Sequence, residues 1–138
     1  MTLQDIRILV DFGFVVLIWA VQLVIYPSFS HYSNANLFKW HKTYTQRVTF
    51  IVLPLMIGQL VIVSFQLFQN VDWYTICSSI IIGLLWLLTF TVFVPLHQSI
   101  DKEQPVNNVC LKLVSYNWIR TLLWNMLFLL SLLHHIKF

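Results

Sequence analysis

The spacing of charge narrows the folds open to this chain more than any other feature. Between Asp11 and Lys39, Arg47 and Asp72, and Asp72 and Asp101 lie three uncharged runs, 12–38, 48–71 and 73–100. A helix needs about 20 mostly apolar residues to cross the hydrocarbon of a bilayer, so each run is long enough for one crossing. A fourth run, 121–136, has only 16 residues between Arg120 and Lys137. That is too few to cross untilted, so a crossing there must draw Arg120 toward the membrane. None of the runs shows the strict alternation of barrel strands. With 59% of 138 residues hydrophobic and 9% charged, nothing is left over for a soluble domain. The predicted fold is all-α, an integral membrane four-helix up-and-down bundle, with residues 1–138 forming one transmembrane domain.

Breakers place the helices at about 3–26, 37–66, 73–98 and 105–136. Pro27 is expected to stop the first, because proline disfavours helical geometry in the residue before it and has no N–H to donate. Pro54 is expected to bend the second, and Pro105 to occupy the first turn of the fourth. Trp73 and Tyr74 have the character of an interfacial aromatic anchor. Gly13, Gly58 and Gly83 fall in the half nearer the termini, where small residues would let helices approach and leave the other half splayed. The first apolar stretch is too long for a signal-peptide core and carries Asp5 and Asp11, so the first helix is expected to remain in place. Cys77 and Cys110 fall at opposite ends of the bundle, too far apart to pair, and read as small apolar packing residues.

The net charge of +3 comes from scattered Lys and Arg rather than a basic stripe, so no nucleic-acid partner is expected. Arg7 and Lys137 lie on the side of the termini, whereas Lys39, Lys42, Arg47, Lys102, Lys112 and Arg120 lie on the side of the first and third connections. The positive-inside tendency then puts those connections in the cytoplasm and both termini outside.

The chemically able residues gather at that connection end: Tyr26, His31, His41, Tyr44, Arg47, His97, Asn117, Arg120 and Trp124. Asn117, Arg120 and Trp124 are three and four positions apart and share a helix face. Trp86, Phe90, Phe93 and His97 form a stripe on the third helix, and His41 groups with Tyr44 on the second. The opposite end, with Asp5, Arg7, Asp11, Asp72 and the His134-His135 tail, reads as bland. An inward Arg120 needs a carbonyl, a carboxylate or a ligand anion as partner. His31, His41 and His97 are candidate metal or haem ligands, since neutral imidazole suits both. Their spacing matches no metal motif, so no metal ligand is assigned and the cofactor is left open.

Short motifs run through the chain: Trp19 to Pro27, His41-x-x-Tyr44-x-x-Arg47, Pro54-Leu55-Met56, Val94-Pro95-Leu96-His97 and Asn117-Trp118-Ile119-Arg120-Thr121. With these it resembles a group of small bacterial four-helix membrane proteins similar to the anthrone-oxygenase-like family of unknown function. Fainter is a similarity to haem-associated membrane protoporphyrinogen oxidases. Those carry a histidine within the first helix, where this chain has Asp11-Phe12. The resemblance implies a bacterial inner-membrane location.

Two functions stay open on the sequence. One is an oxidoreductase or oxygenase-like enzyme acting on a hydrophobic aromatic or quinone-like small molecule. In it His97, Arg120, His41 and Asn117 would act catalytically, and Tyr26, Tyr44, Arg47, Trp86, Phe90, Phe93 and Trp124 would bind the substrate. The other is a noncatalytic subunit or assembly factor whose polar end binds a partner protein or lipid headgroups.

Overall fold

Three side-chain caps set where helices begin. Thr2 accepts from the Asp5 backbone N–H while the Asp5 carboxylate accepts from that of Thr2. Ser33 caps the next helix through Asn36, and Asp72 the third through Thr75, each satisfying a donor that the first helical turn leaves without an internal partner. The protein, seen here as a computed structural model that describes residues 1–137, consists of four long helices: α1 (Leu3–His31), α2 (Asn34–Gln69), α3 (Trp73–Asp101) and α4 (Asn107–Lys137). Each is long and apolar enough to cross a membrane. The short connections make sequence neighbours antiparallel, and α1 packs most extensively along α4, which closes the bundle. Its outside is apolar, with Leu9, Val16, Val61, Ile80, Leu122 and Leu129 all exposed, as contact with a lipid bilayer requires.

Pro27 does not end α1. The helix widens into a π turn at Val21–Ile25 and runs on through Pro27 to His31. The same device recurs in α3, where a π turn at Thr89–Phe93 precedes Pro95 and the helix continues to Asp101. In both, the proline stands two residues beyond the bulge. The carbonyls its missing N–H would have served, Leu23 and Thr91, lie inside the widened turn, so the bulge absorbs the defect. Pro54, by contrast, sits within an uninterrupted α-helical segment. Pro105 precedes α4 rather than entering its first turn, and Glu103 beside it takes a left-handed φ of 57° to turn the chain.

The glycines do not draw helices together. A methyl group built on Gly13, Gly58 or Gly83 would meet nothing within 4 Å. Nor is the end nearer the termini bland, because Arg7 and Asp11 are completely buried there. They form a 3.3 Å ion pair one helical turn apart. Arg7 also donates to Gln66 and Ser78 and lies over the Tyr74 ring, while Asp11 accepts from Gln59. The tail is tied down as well: His134 stacks on Tyr74 with ring centroids 3.9 Å apart, and His135 lies 3.7 Å from Asp5.

Candidate functional site: a polar chain on the wall of an aromatic cavity

Between the two π turns and the facing stretches of α2 and α4 lies a cavity of about 350 Å³. Its walls are mostly apolar and include Phe14, Ile18, Val52, Met56, Trp86, Phe93 and Trp124. Thr49 and Leu53 on one side and Phe90 on the other line it while remaining exposed, which puts its mouth on the outer surface between α2 and α3. Phe14 and Trp124 stack at 4.6 Å, nearly parallel, to make one wall rigid. The Trp124 indole N–H donates to Gln59, and Gln59 donates to Asp11. One cavity wall is thereby linked to the buried ion pair of the opposite half.

On the polar side a chain of hydrogen bonds crosses four helices. Arg120 Nη2 donates to Tyr26 Oη at 2.9 Å. Arginine can only donate, so the Tyr26 hydroxyl proton is directed to His97 Nε2, 3.0 Å away. His97 must then carry its proton on Nδ1, which lies 2.7 Å from His41 Nε2. His41 in turn donates from Nδ1 to Asp101 Oδ1 at 2.7 Å. The tautomers follow from these partners, and every donor points the same way, from Arg120 to Asp101. His41 is fully buried, whereas the Asp101 side chain is 36% exposed. The chain therefore runs from the inner wall of the cavity at Arg120 to a partly exposed carboxylate at the connection end, where Asp101 also lines the cavity.

Arg120 is held as well as placed. Its Nε and Nη2 both donate to Asn117 Oδ1, at 2.9 and 2.7 Å, and its guanidinium carbon lies 3.4 Å from the centre of the Phe93 ring. Asn117 is itself anchored through its amide N–H to Gln22 Oε1, whose own amide reaches the Val114 carbonyl. No carboxylate pairs with Arg120 among the described residues. Its position beside Phe93, eight residues inside the end of α3, puts it about 12 Å in from Asp101 at 1.5 Å per residue.

Of the residues singled out from the sequence, the structure brings Tyr26, Tyr44, Trp86, Phe90, Phe93, His97, Arg120 and Trp124 to the cavity wall. His41 and Asn117 belong to the hydrogen-bonded chain but stand behind that wall, and both are fully buried. Arg47 is exposed and lies away from the cavity, because Tyr44 and Val48 occupy the inward phase of α2. His31 is also exposed, at the end of α1. Both ring nitrogens of His41 and both of His97 are engaged by Asp101, by each other and by Tyr26. The pair consequently offers no nitrogen to a metal or to haem iron. No cluster of three or more His, Cys, Asp or Glu side chains able to hold a metal occurs among the described residues.

The sequence reading missed Gln22 and gave Asp101 no role in the site. Spacing points to Gln22, which precedes Tyr26 by four residues, the interval that stacks side chains on one helix face; Asp101 follows His97 by the same interval, but only in a helix that runs past Gln98. Arg7 and Asp11 show the same interval with opposite charge. No known protein family, curated protein or solved structure matches the chain.

Proposed function

We propose that this protein is a membrane oxidoreductase of a lipid-soluble ring compound, quinol- or phenol-like, and that the polar chain carries away the proton such a compound loses. The reading rests on one observation: the unidirectional chain Arg120, Tyr26, His97, His41, Asp101, which links the aromatic wall of the cavity to a partly exposed carboxylate at its polar end.

The chemistry follows from the geometry. A ring enters between α2 and α3 from the bilayer and packs among Trp86, Phe93 and Trp124, where aromatic faces favour flat apolar molecules. Its hydroxyl proton passes to Tyr26 as the Tyr26 proton passes to His97. His97 gives its Nδ1 proton to His41, and His41 gives its own to Asp101, from which it reaches water. One proton enters and one leaves, while every intermediate member returns to its neutral form after the rings turn over. Arg120 stabilises the oxygen that becomes negative, in a low-dielectric site where such an interaction is strong. The electron-rich ring then yields two electrons to dioxygen or to a second quinone dissolved in the membrane. The second hydroxyl proton leaves by the same chain, and the acceptor takes up two protons with the two electrons to give hydrogen peroxide or a quinol, so that the bound quinol becomes a quinone.

Asp101 lies on the side that holds the exposed cations Lys39, Lys42, Arg47, Lys102 and Lys112, against Lys137 at the other end. With Arg7 and Arg120 buried, these are the residues that bear on orientation, and we assign the Asp101 end to the cytoplasm of a bacterial inner membrane. The test is oxidation of a short-chain naphthoquinol by the purified protein in nanodiscs, followed by absorbance under air. Turnover that falls in His97→Ala supports the reading. A naphthoquinol that binds but is oxidised no faster than in empty nanodiscs would leave a noncatalytic binding protein in its place.

A further inference from the structure

Two polar groups on the cavity wall have no hydrogen-bond partner among the described residues. Arg120 uses Nε and Nη2, and its Nη1 makes no hydrogen bond among the described residues. The Tyr44 hydroxyl makes none either. Both residues are only 8% exposed, both line the cavity, and neither atom is sealed from open space. Buried polar groups are nearly always satisfied, and the other buried polar side chains around the site are. A buried guanidinium without a counter-ion is more costly still. The nearest acid along the chain, Asp101, is four hydrogen bonds away and partly exposed. The second buried arginine, Arg7, shows the difference, because it has Asp11 beside it and its donors are taken by Asp11, Gln66 and Ser78.

We infer that the cavity selects a lipophilic ring acid bound as its anion, with the ionised ring oxygen on Arg120 Nη1 and a second ring oxygen accepting from the Tyr44 hydroxyl. This rests on the ring-binding reading above and narrows it: the anion is the form left once the ring oxygen has given its proton to Tyr26, and a ring of the same shape that cannot ionise is the poorer ligand. The anion would complete the charge balance that the protein leaves open, in the way Asp11 balances Arg7. Hydroxylated quinones and phenolic ketones have this pair of oxygens on a flat apolar frame. A phospholipid, with its anionic group at the interface and no ring, does not meet the aromatic wall.

The probes are 2-hydroxy-1,4-naphthoquinone and its O-methyl ether, which differ in one ionisable proton. Binding to the protein in nanodiscs is read by quenching of tryptophan fluorescence, corrected against empty nanodiscs. The acid is expected to bind at least about tenfold more tightly than the ether at neutral pH, as a charge-assisted hydrogen bond implies. Lowering the pH through the acid's own ionisation should abolish the advantage and leave the ether unchanged. Arg120→Gln should bring the two compounds together, and Tyr44→Phe should weaken both by a similar factor. Should Arg120→Gln fail to fold, the pH comparison on the wild type decides alone. Equal binding of acid and ether would overturn the charge selection and leave ring binding standing. Binding of neither compound would overturn both.

Discussion

His97 joins the two halves of the polar chain, since its two ring nitrogens face Tyr26 on one side and His41 on the other. Removing the ring cuts the chain outright, and general acid–base groups contribute about 10²–10⁴-fold to rate. His97→Ala should therefore lower naphthoquinol oxidation by roughly that factor. Asp101→Asn should lower it less, because an amide oxygen still accepts from His41 but cannot take its proton. Rates measured in parallel for the two variants check the order; an Asp101→Asn rate below that of His97→Ala would contradict a path from the cavity outward. That Arg120 and Asn117 stand together was legible in the sequence, because three-residue spacing put them on one face of α4. Asp101 was not, because it stood among loop residues until α3 proved one turn longer than its predicted end at Gln98.

The prolines were visible in the sequence, but the π turns before them were not. A helix meeting proline can stop, kink or widen, and local sequence does not distinguish these outcomes; packing against neighbouring helices does. Widening has a geometric consequence. An inserted residue rotates everything beyond it by about 100° relative to a regular helix. Tyr26 lies just past one bulge, and His97 lies past the other. Their meeting at 3.0 Å depends on both. In Pro95→Ala the restored N–H can bond to the Thr91 carbonyl, so a regular helix becomes available to α3. The expected result is thermal stability in detergent equal to or above that of the wild type, with a loss of oxidation as great as in His97→Ala. Unchanged activity would show that packing, and not Pro95, holds the bulge open.

Three helices long enough to cross were legible from charge spacing, and the fourth from a shorter apolar run that had to take in Arg120, because length and hydropathy decide what a bilayer admits. The distribution of polar groups inside the bundle was not, since Arg7 and Asp11 sit near a chain end where solvent exposure is the ordinary expectation. Lipid gives packed helices no hydrophobic force to bring them together, so packing and interhelical hydrogen bonds must hold them. Here the aromatic cavity loosens one half of the bundle, and the other half is cross-linked: Arg7 and Asp11 of α1 reach Gln59 and Gln66 of α2 and Ser78 of α3, while Gln59 also receives Trp124 of α4. All four helices meet in that network. Removing one member of a buried pair strands the other charge and costs about 3–5 kcal/mol, whereas replacing both by apolar residues costs far less. Asp11→Leu should accordingly destabilise the protein by about 3 kcal/mol or more, and the double variant Arg7→Met with Asp11→Leu should recover much of that loss. Reversible unfolding in mixed micelles measures both. A double variant as unstable as the single one would mean that the surrounding glutamines and Ser78, rather than the ion pair, carry the cross-link.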